Sequence, residues 1–244
     1  MQPLALSPRD LIAVRDVASP TATVALRVDD DGIQVVSEER RRPSVVVTGE
    51  ARPARRIADA LARSLGARVS YVDEATACAA ALDEPGALLL HWSSRVTLSL
   101  AGAAAASFGH LGVDPLGPPC ACGGRGCLED QVSAPALVAR FAQTTGRTVT
   151  VGELTALARR GDVVAGRLVG TAAALLARQL APVCASASVT RVALAGALAA
   201  AGPALCARLE DELRLIWPTP VAVIAFDPLA ALRGALRIAR RGPL

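Results

Sequence analysis

Three cysteines, Cys120, Cys122 and Cys127, stand within eight consecutive positions, and His110 precedes the first of them by ten residues. Gly123, Gly124 and Gly126 lie among them. Cys-x-Cys brings two sulfurs to one point, and the glycines let the backbone wrap tightly around it. A disulfide between two of the cysteines, or a metal-free loop, is the alternative. Three thiols and an imidazole are the donor set of a closed tetrahedral zinc site, with no position left open for chemistry. The expectation is one structural zinc held by His110, Cys120, Cys122 and Cys127. Such a site carries one net negative charge, which Arg125 can partly offset. Cys78, Cys184, Cys206 and His91 are expected to be packing residues.

A chain of 244 residues can bury one large core or two modest ones. Alanine supplies much of its apolar fraction and aromatics are 2% of residues, so close backbone approach must replace bulky side chains in the core. Every Lys/Arg position is arginine, which excludes Schiff-base lysines and a phosphate-loop lysine. The net charge of +4 is mild, and Arg40, Arg41 and Arg42 follow Glu38 and Glu39. That arrangement reads as a solvated loop and not a nucleic-acid surface. Residues 1–10 lack the basic and apolar regions of a signal peptide. The apolar stretches towards the C-terminus, broken by Arg178, Arg191 and Arg208, read as shorter than the roughly 20 residues a membrane span needs. The reading is a cytoplasmic protein with no membrane contact, in whose cytosolic setting crowded cysteines favour metal.

Alternation predicts strands at Leu11–Val14, Val24–Val28 and Ile33–Val35, joined by hairpins, with a turn at Asp29-Asp30-Asp31-Gly32. Val45–Val47, Val69–Tyr71, Leu88–Leu90, Val96–Leu100, Val192–Leu194 and Val221–Ile224 read as further strands. Ile57, Leu61 and Leu65 fall at helical spacing before Gly66, and a second helix follows from Glu74 to Leu82. After the cysteine loop the pattern turns helical. Ser133 and Pro135 read as an N-cap and N1 pair, and Thr150 with Glu153 as a capping box. Helices follow at Val163–Cys184, Leu205–Leu215 and Leu229–Arg240. The fold class is α/β with mixed sheets.

The stretch from Gly109-His110-Leu111-Gly112-Val113-Asp114-Pro115 to Pro119-Cys120-Ala121-Cys122-Gly123-Gly124-Arg125-Gly126-Cys127-Leu128-Glu129 closely resembles the signature of the ROK family. That family groups bacterial sugar kinases with sugar-responsive repressors on the actin-like ATPase (ribonuclease H-like) fold. Leu11–Gly32 resembles its opening hairpin, Val69–Leu82 the strand and helix carrying the catalytic Asp, Val192–Gly202 the nucleotide-side glycine turn, and Ala230–Ala239 the closing helix. The resemblance implies two domains: residues 1–85 plus 231–244, shortened, and residues 86–230 with the zinc loop. It implies His110 and Glu129 as sugar contacts, and homo-oligomers.

The departures bear on activity. Family kinases open with Asp-x-Gly-Gly-Thr, whose glycines let the backbone approach phosphates; the corresponding segment is read as Arg15-Asp16-Val17-Ala18-Ser19-Pro20-Thr21. The second phosphate loop falls at Trp92-Ser93-Ser94-Arg95, without glycine. Ser107 replaces a sugar-binding Glu, and Asp73-Glu74 stands for the Asn-Asp pair that holds the general base. Phosphoryl transfer is mostly positioning and charge stabilisation, so the reading leans towards a non-catalytic, sugar-sensing or regulatory protein. Family repressors carry an N-terminal winged helix-turn-helix, for which the sequence before Leu11 leaves no room, so the chain alone is not expected to bind nucleic acid. The alternatives are a divergent sugar kinase using ATP–Mg²⁺, with Asp73 or Glu74 as base, and a scaffold with no small-molecule ligand.

Overall fold

The computed structural model describes residues 22–29, 32–39, 44–49, 51–65, 69–101, 103–217, 219–227 and 229–240. The expected strand at Leu11–Val14 and the segment Arg15–Thr21 lie outside them. The chain forms two compact units: Met1–Leu82 with Pro228–Leu244, and Asp83–Asp227.

The first unit holds a four-stranded sheet in the order β2-β1-β3-β4. β1 (Ala22–Asp29) and β2 (Gly32–Glu39) form an antiparallel hairpin whose last pair is Asp29 with Gly32. β3 (Ser44–Gly49) and β4 (Val69–Asp73) run parallel to β1. Parallel neighbours need a crossover, and α1 (Ala51–Leu65) supplies it. This helix buries Ala54, Ile57, Ala58 and Leu61 and exposes Arg55, Arg56, Asp59 and Arg63, the period of an amphipathic helix. Val45, Val46 and Val47 are all buried, as expected of a parallel strand covered on both faces.

α2 (Glu74–Ala81) packs closely on α8 (Ala230–Arg240). A Cβ on Gly234 would fall 1.6 Å from the carbonyl oxygen of Ala77, so only glycine allows this approach. Arg237 Nη1 donates to the carbonyls of Ala80 and Ala81 at 3.2 and 3.3 Å, satisfying the C-terminal end of α2 and complementing its dipole.

The second unit holds a mixed sheet in the order β7-β6-β5-β8-β9. Its strands are β5 (Ala87–Trp92), β6 (Val96–Leu100), β7 (Ala106–Ser107), β8 (Arg191–Ala195) and β9 (Ala222–Ala225). Leu88, Leu90 and Trp92 of β5 join a helical core. The helices are α3 (Leu128–Val132), α4 (Ala134–Thr145), α5 (Val151–Arg159), α6 (Val163–Ser186) and α7 (Pro203–Ile216). The Thr150–Glu153 capping box forms as read. Ser133 caps α4, but Ala134 precedes Pro135, which therefore takes the second helical position. Three elements escaped the sequence reading: α3, β7 and a 3₁₀ turn at Ala197–Ala201. Each is too short to show a period. Contrary to expectation, α6 is long and apolar enough to span a bilayer by length and composition. Its Val169, Leu176 and Leu180 belong to the core of this unit, which is where its apolar surface is used. Cys78, Cys184, Cys206 and His91 are buried, as packing residues should be.

Candidate functional site

The loop between β7 and α3 folds on itself through its backbone. Val113 and Asp114 N–H groups both donate to the Gly126 carbonyl, and Gly126 N–H donates to Pro118. Isolated bridges pair Gly112 with Cys127 and Pro119 with Arg125. Gly126 has φ +57, and a Cβ there would lie 1.7 Å from the Asp114 carbonyl oxygen. Arg125 Nη1 donates to the Gly117 carbonyl at 2.8 Å, so the guanidinium fastens the loop as well as lending it charge.

This folding gathers the four expected ligands. His110 Nδ1 is 3.7 Å from Cys120 Sγ, Cys122 Sγ is 3.5 Å from Cys127 Sγ, and all four donor atoms lie within 4.8 Å of one another. With metal–sulfur bonds of about 2.3 Å, a tetrahedral site has edges of roughly 3.8 Å, so the spacing suits one small ion. The Gly124 N–H, 3.4 Å from Cys122 Sγ, holds that thiol below its ordinary value, aided by the neighbouring sulfurs. Cys127 is the buried member, at 1% exposure, and burial pushes its thiol up to about 12. Metal must therefore displace a tightly held proton from Cys127.

Glu129 lies just beyond the loop, in the first turn of α3. Its N–H donates to the Gly109 carbonyl at 2.7 Å, and its Oε2 accepts the Val96 N–H at 3.2 Å. A Cβ on Gly109 would fall 2.3 Å from Oε2, so glycine at 109 is what lets the carboxylate lie there. Since His110 turns Nδ1 towards Cys120, Nε2 lies on the other side of an exposed ring. Ser107 is exposed on β7.

Asp73 and Glu74 have different surroundings. Asp73 is the N-cap of α2: Oδ1 accepts Thr76 N–H at 3.0 Å and Oδ2 accepts the Thr76 hydroxyl at 2.5 Å. Both oxygens are thus engaged by the helix. Glu74, in the first turn, is 8% exposed.

The Trp92–Arg95 segment is a tight connection between β5 and β6, whose last pair is Trp92 with Val96. Ser93 N–H donates to the Arg95 carbonyl at 3.0 Å, and the Ser93 carbonyl accepts Ala134 N–H at 2.9 Å. The Trp92 indole donates to Val132 at 2.7 Å. Gly196, at φ +92, packs so closely that a Cβ would be 2.6 Å from the Trp92 carbonyl oxygen. At the other motif, the described hairpin places Asp29 opposite Gly32. The turn expected at Asp29-Asp30-Asp31-Gly32 thus falls between paired strands, whereas the expected phosphate segment Arg15–Thr21 lies outside the described residues.

The pattern of the ROK family matches residues 98–236, more than half of the chain, and the chain belongs to that family. It is 31% identical over 136 residues to the kanosamine kinase of Amycolatopsis mediterranei (strain S699), a match that covers 54% of this chain and 45% of the kinase. The chain thus spans less than half the length of that relative. A ROK glucokinase from Streptomyces griseus, solved with glucose and AMPPNP, superposes with a TM-score of 0.68 at 17% identity, covering 91% of this chain and 100% of that one. A ROK transcriptional regulator, a homologue of the E. coli MLC protein, superposes with a TM-score of 0.63 at 14% identity over 96% of this chain and 83% of the regulator. These neighbours establish the actin-like ATPase fold.

Proposed function

We propose that this chain is a non-catalytic ROK protein that binds a sugar and carries a structural zinc on His110, Cys120, Cys122 and Cys127, with a sensing or regulatory role. The carrying observation is the turn at Trp92–Arg95. A backbone phosphate cradle needs free N–H groups, and Ser93 N–H is used within the turn. The zinc supplies rigidity: it ties His110 to the segment that positions Glu129. The exposed imidazole then offers a donor and Glu129 a charged acceptor, a pair suited to sugar hydroxyls. We take the two compact units as the two domains of the family, the first of them shortened. As in the family, we propose a cytoplasmic homo-oligomer.

The test is titration calorimetry of the zinc-loaded protein with hexoses, amino sugars and their N-acetyl forms, and separately with ATP–Mg²⁺. Sugar binding without nucleotide binding is the expected result; nucleotide binding with sugar-dependent ADP formation overturns it. A second reading, a divergent ATP-dependent sugar kinase, has its own support in the similarity to kanosamine kinase. In that reading Glu74 is the base, because both oxygens of Asp73 are engaged in the helix cap.

A further inference from the structure

A structural zinc site is ordinarily protected by burial, and this one is not. His110 and Cys122 are exposed, Cys120 is half-buried, and only Cys127 is enclosed. Cys122 is therefore the sulfur most open to a small oxidant, and the nearest sulfur recorded for it, Cys127 Sγ, is 3.5 Å away. The two are separated by Gly123-Gly124-Arg125-Gly126, and a Cβ on Gly123 would meet nothing within 4 Å. At Gly123 the backbone has room to shift, so the sulfurs can close to the roughly 2.05 Å of a disulfide while Gly126 stays fixed at the crossing. Cys120 is less suited as a partner for Cys122, because a bridge across one residue closes a strained ring. Cys120 Sγ also lies against His110 Nδ1.

We propose that Cys122 and Cys127 form a peroxide-responsive pair whose oxidation releases the zinc and loosens the His110–Glu129 arrangement. The proposal rests on the zinc reading above. A zinc ion held by His110, Cys120, Cys122 and Cys127 would keep both sulfurs as thiolates. The Cys122 thiolate attacks one oxygen of a hydroperoxide: an S–O bond forms, the O–O bond breaks, and hydroxide (or alkoxide) leaves and takes a proton. The Cys127 thiolate then attacks the sulfenic sulfur: the S–S bond forms, the S–O bond breaks, and a second hydroxide leaves as water. The two sulfurs lose two electrons and the peroxide gains them. With two of its four ligands consumed, the site no longer holds the ion. Cys127 is the N-cap of α3, and Leu128 and Glu129 N–H groups donate to the Leu111 and Gly109 carbonyls, so movement at Cys127 reaches Glu129 directly.

The experiment measures zinc per chain in the purified protein, then titrates it with hydrogen peroxide while a chromogenic chelator reports free zinc. Peptide mapping after alkylation of the remaining thiols identifies the bridge. The expected result is one equivalent of zinc released in step with a Cys122–Cys127 disulfide, and recovery of zinc binding after reduction. Retention of zinc while other cysteines oxidise, or a bridge that maps to another pair, overturns the proposal. Absence of zinc before oxidation overturns the zinc reading and with it the release step, while the peptide map still decides the pair.

Discussion

Glu129 and Val96 are 33 residues apart in sequence, and the carboxylate of one accepts the backbone N–H of the other at 3.2 Å. That bond aims the side chain across Gly109, next to His110. Glu129→Gln keeps an acceptor for Val96 but loses the charge. It should weaken sugar binding by about 1.5–3 kcal/mol, roughly 10- to 150-fold, without loss of zinc. Calorimetry with metal analysis on the same sample measures both. Unchanged affinity would remove Glu129 from the sugar site.

Zinc removal should destabilise the fold, because the ion binds the folded loop and not the open chain. With free zinc 100- to 1,000-fold above Kd, the stabilisation is about 3–4 kcal/mol. Thermal melts with and without a chelator, and of Cys127→Ser, should show the same loss. A melting temperature indifferent to the chelator argues against a structural ion.

The pH dependence follows from Cys127. Its folded thiol is pushed up to about 12 from an ordinary 9.0. In metal-free protein the folded state holds this proton more tightly than the unfolded chain. The associated stability is full below pH 9.0 and is lost as pH rises towards 12. Zinc reverses the preference, since it needs the thiolate. Zinc binding near neutral pH should therefore release protons and weaken as pH falls. Calorimetry in buffers of different ionisation enthalpy counts those protons.

Two glycines in the loop should respond differently to substitution. Gly126→Ala sets a Cβ against the Asp114 carbonyl at the crossing of the loop, and this should abolish zinc binding. Gly123→Ala, at φ +89 in open space, carries only the backbone cost of about 1–2 kcal/mol and should keep the ion. Equal zinc content in both variants would show that the crossing is dispensable.

Asp73 and Glu74 separate structure from catalysis. Asp73→Ala removes the α2 cap and should cost about 0.5–2 kcal/mol in denaturant unfolding. Glu74→Gln should leave a sugar-kinase assay at background, as in the parent protein. A sugar-dependent ADP signal in the parent that disappears in Glu74→Gln would establish the kinase reading.

The helices were legible where a period or a cap is local. Ile57 and Leu61 of α1 and the Thr150–Glu153 box of α5 needed only neighbours a turn away. The 3₁₀ turn at Ala197–Ala201 was not, because four alanines and Leu198 between Gly196 and Gly202 have no polar face to mark its phase. At the cysteine loop, residue type and spacing named the four side chains whose donor atoms the fold brings within 4.8 Å of one another.

By itself, then, the sequence named the four side chains of the cysteine loop and the α/β class, each being a property of residue types over short distances. Only the tertiary structure decided what those residues are free to do. Hydrogen bonds hold Glu129 on the distant Val96 and the Ser93 carbonyl on Ala134, while Asp73 is engaged in its own helix cap at Thr76, and the folded loop leaves Cys122 outside and Cys127 inside. A side chain's chemistry is written in its identity; its availability depends on which groups the folded chain brings against it.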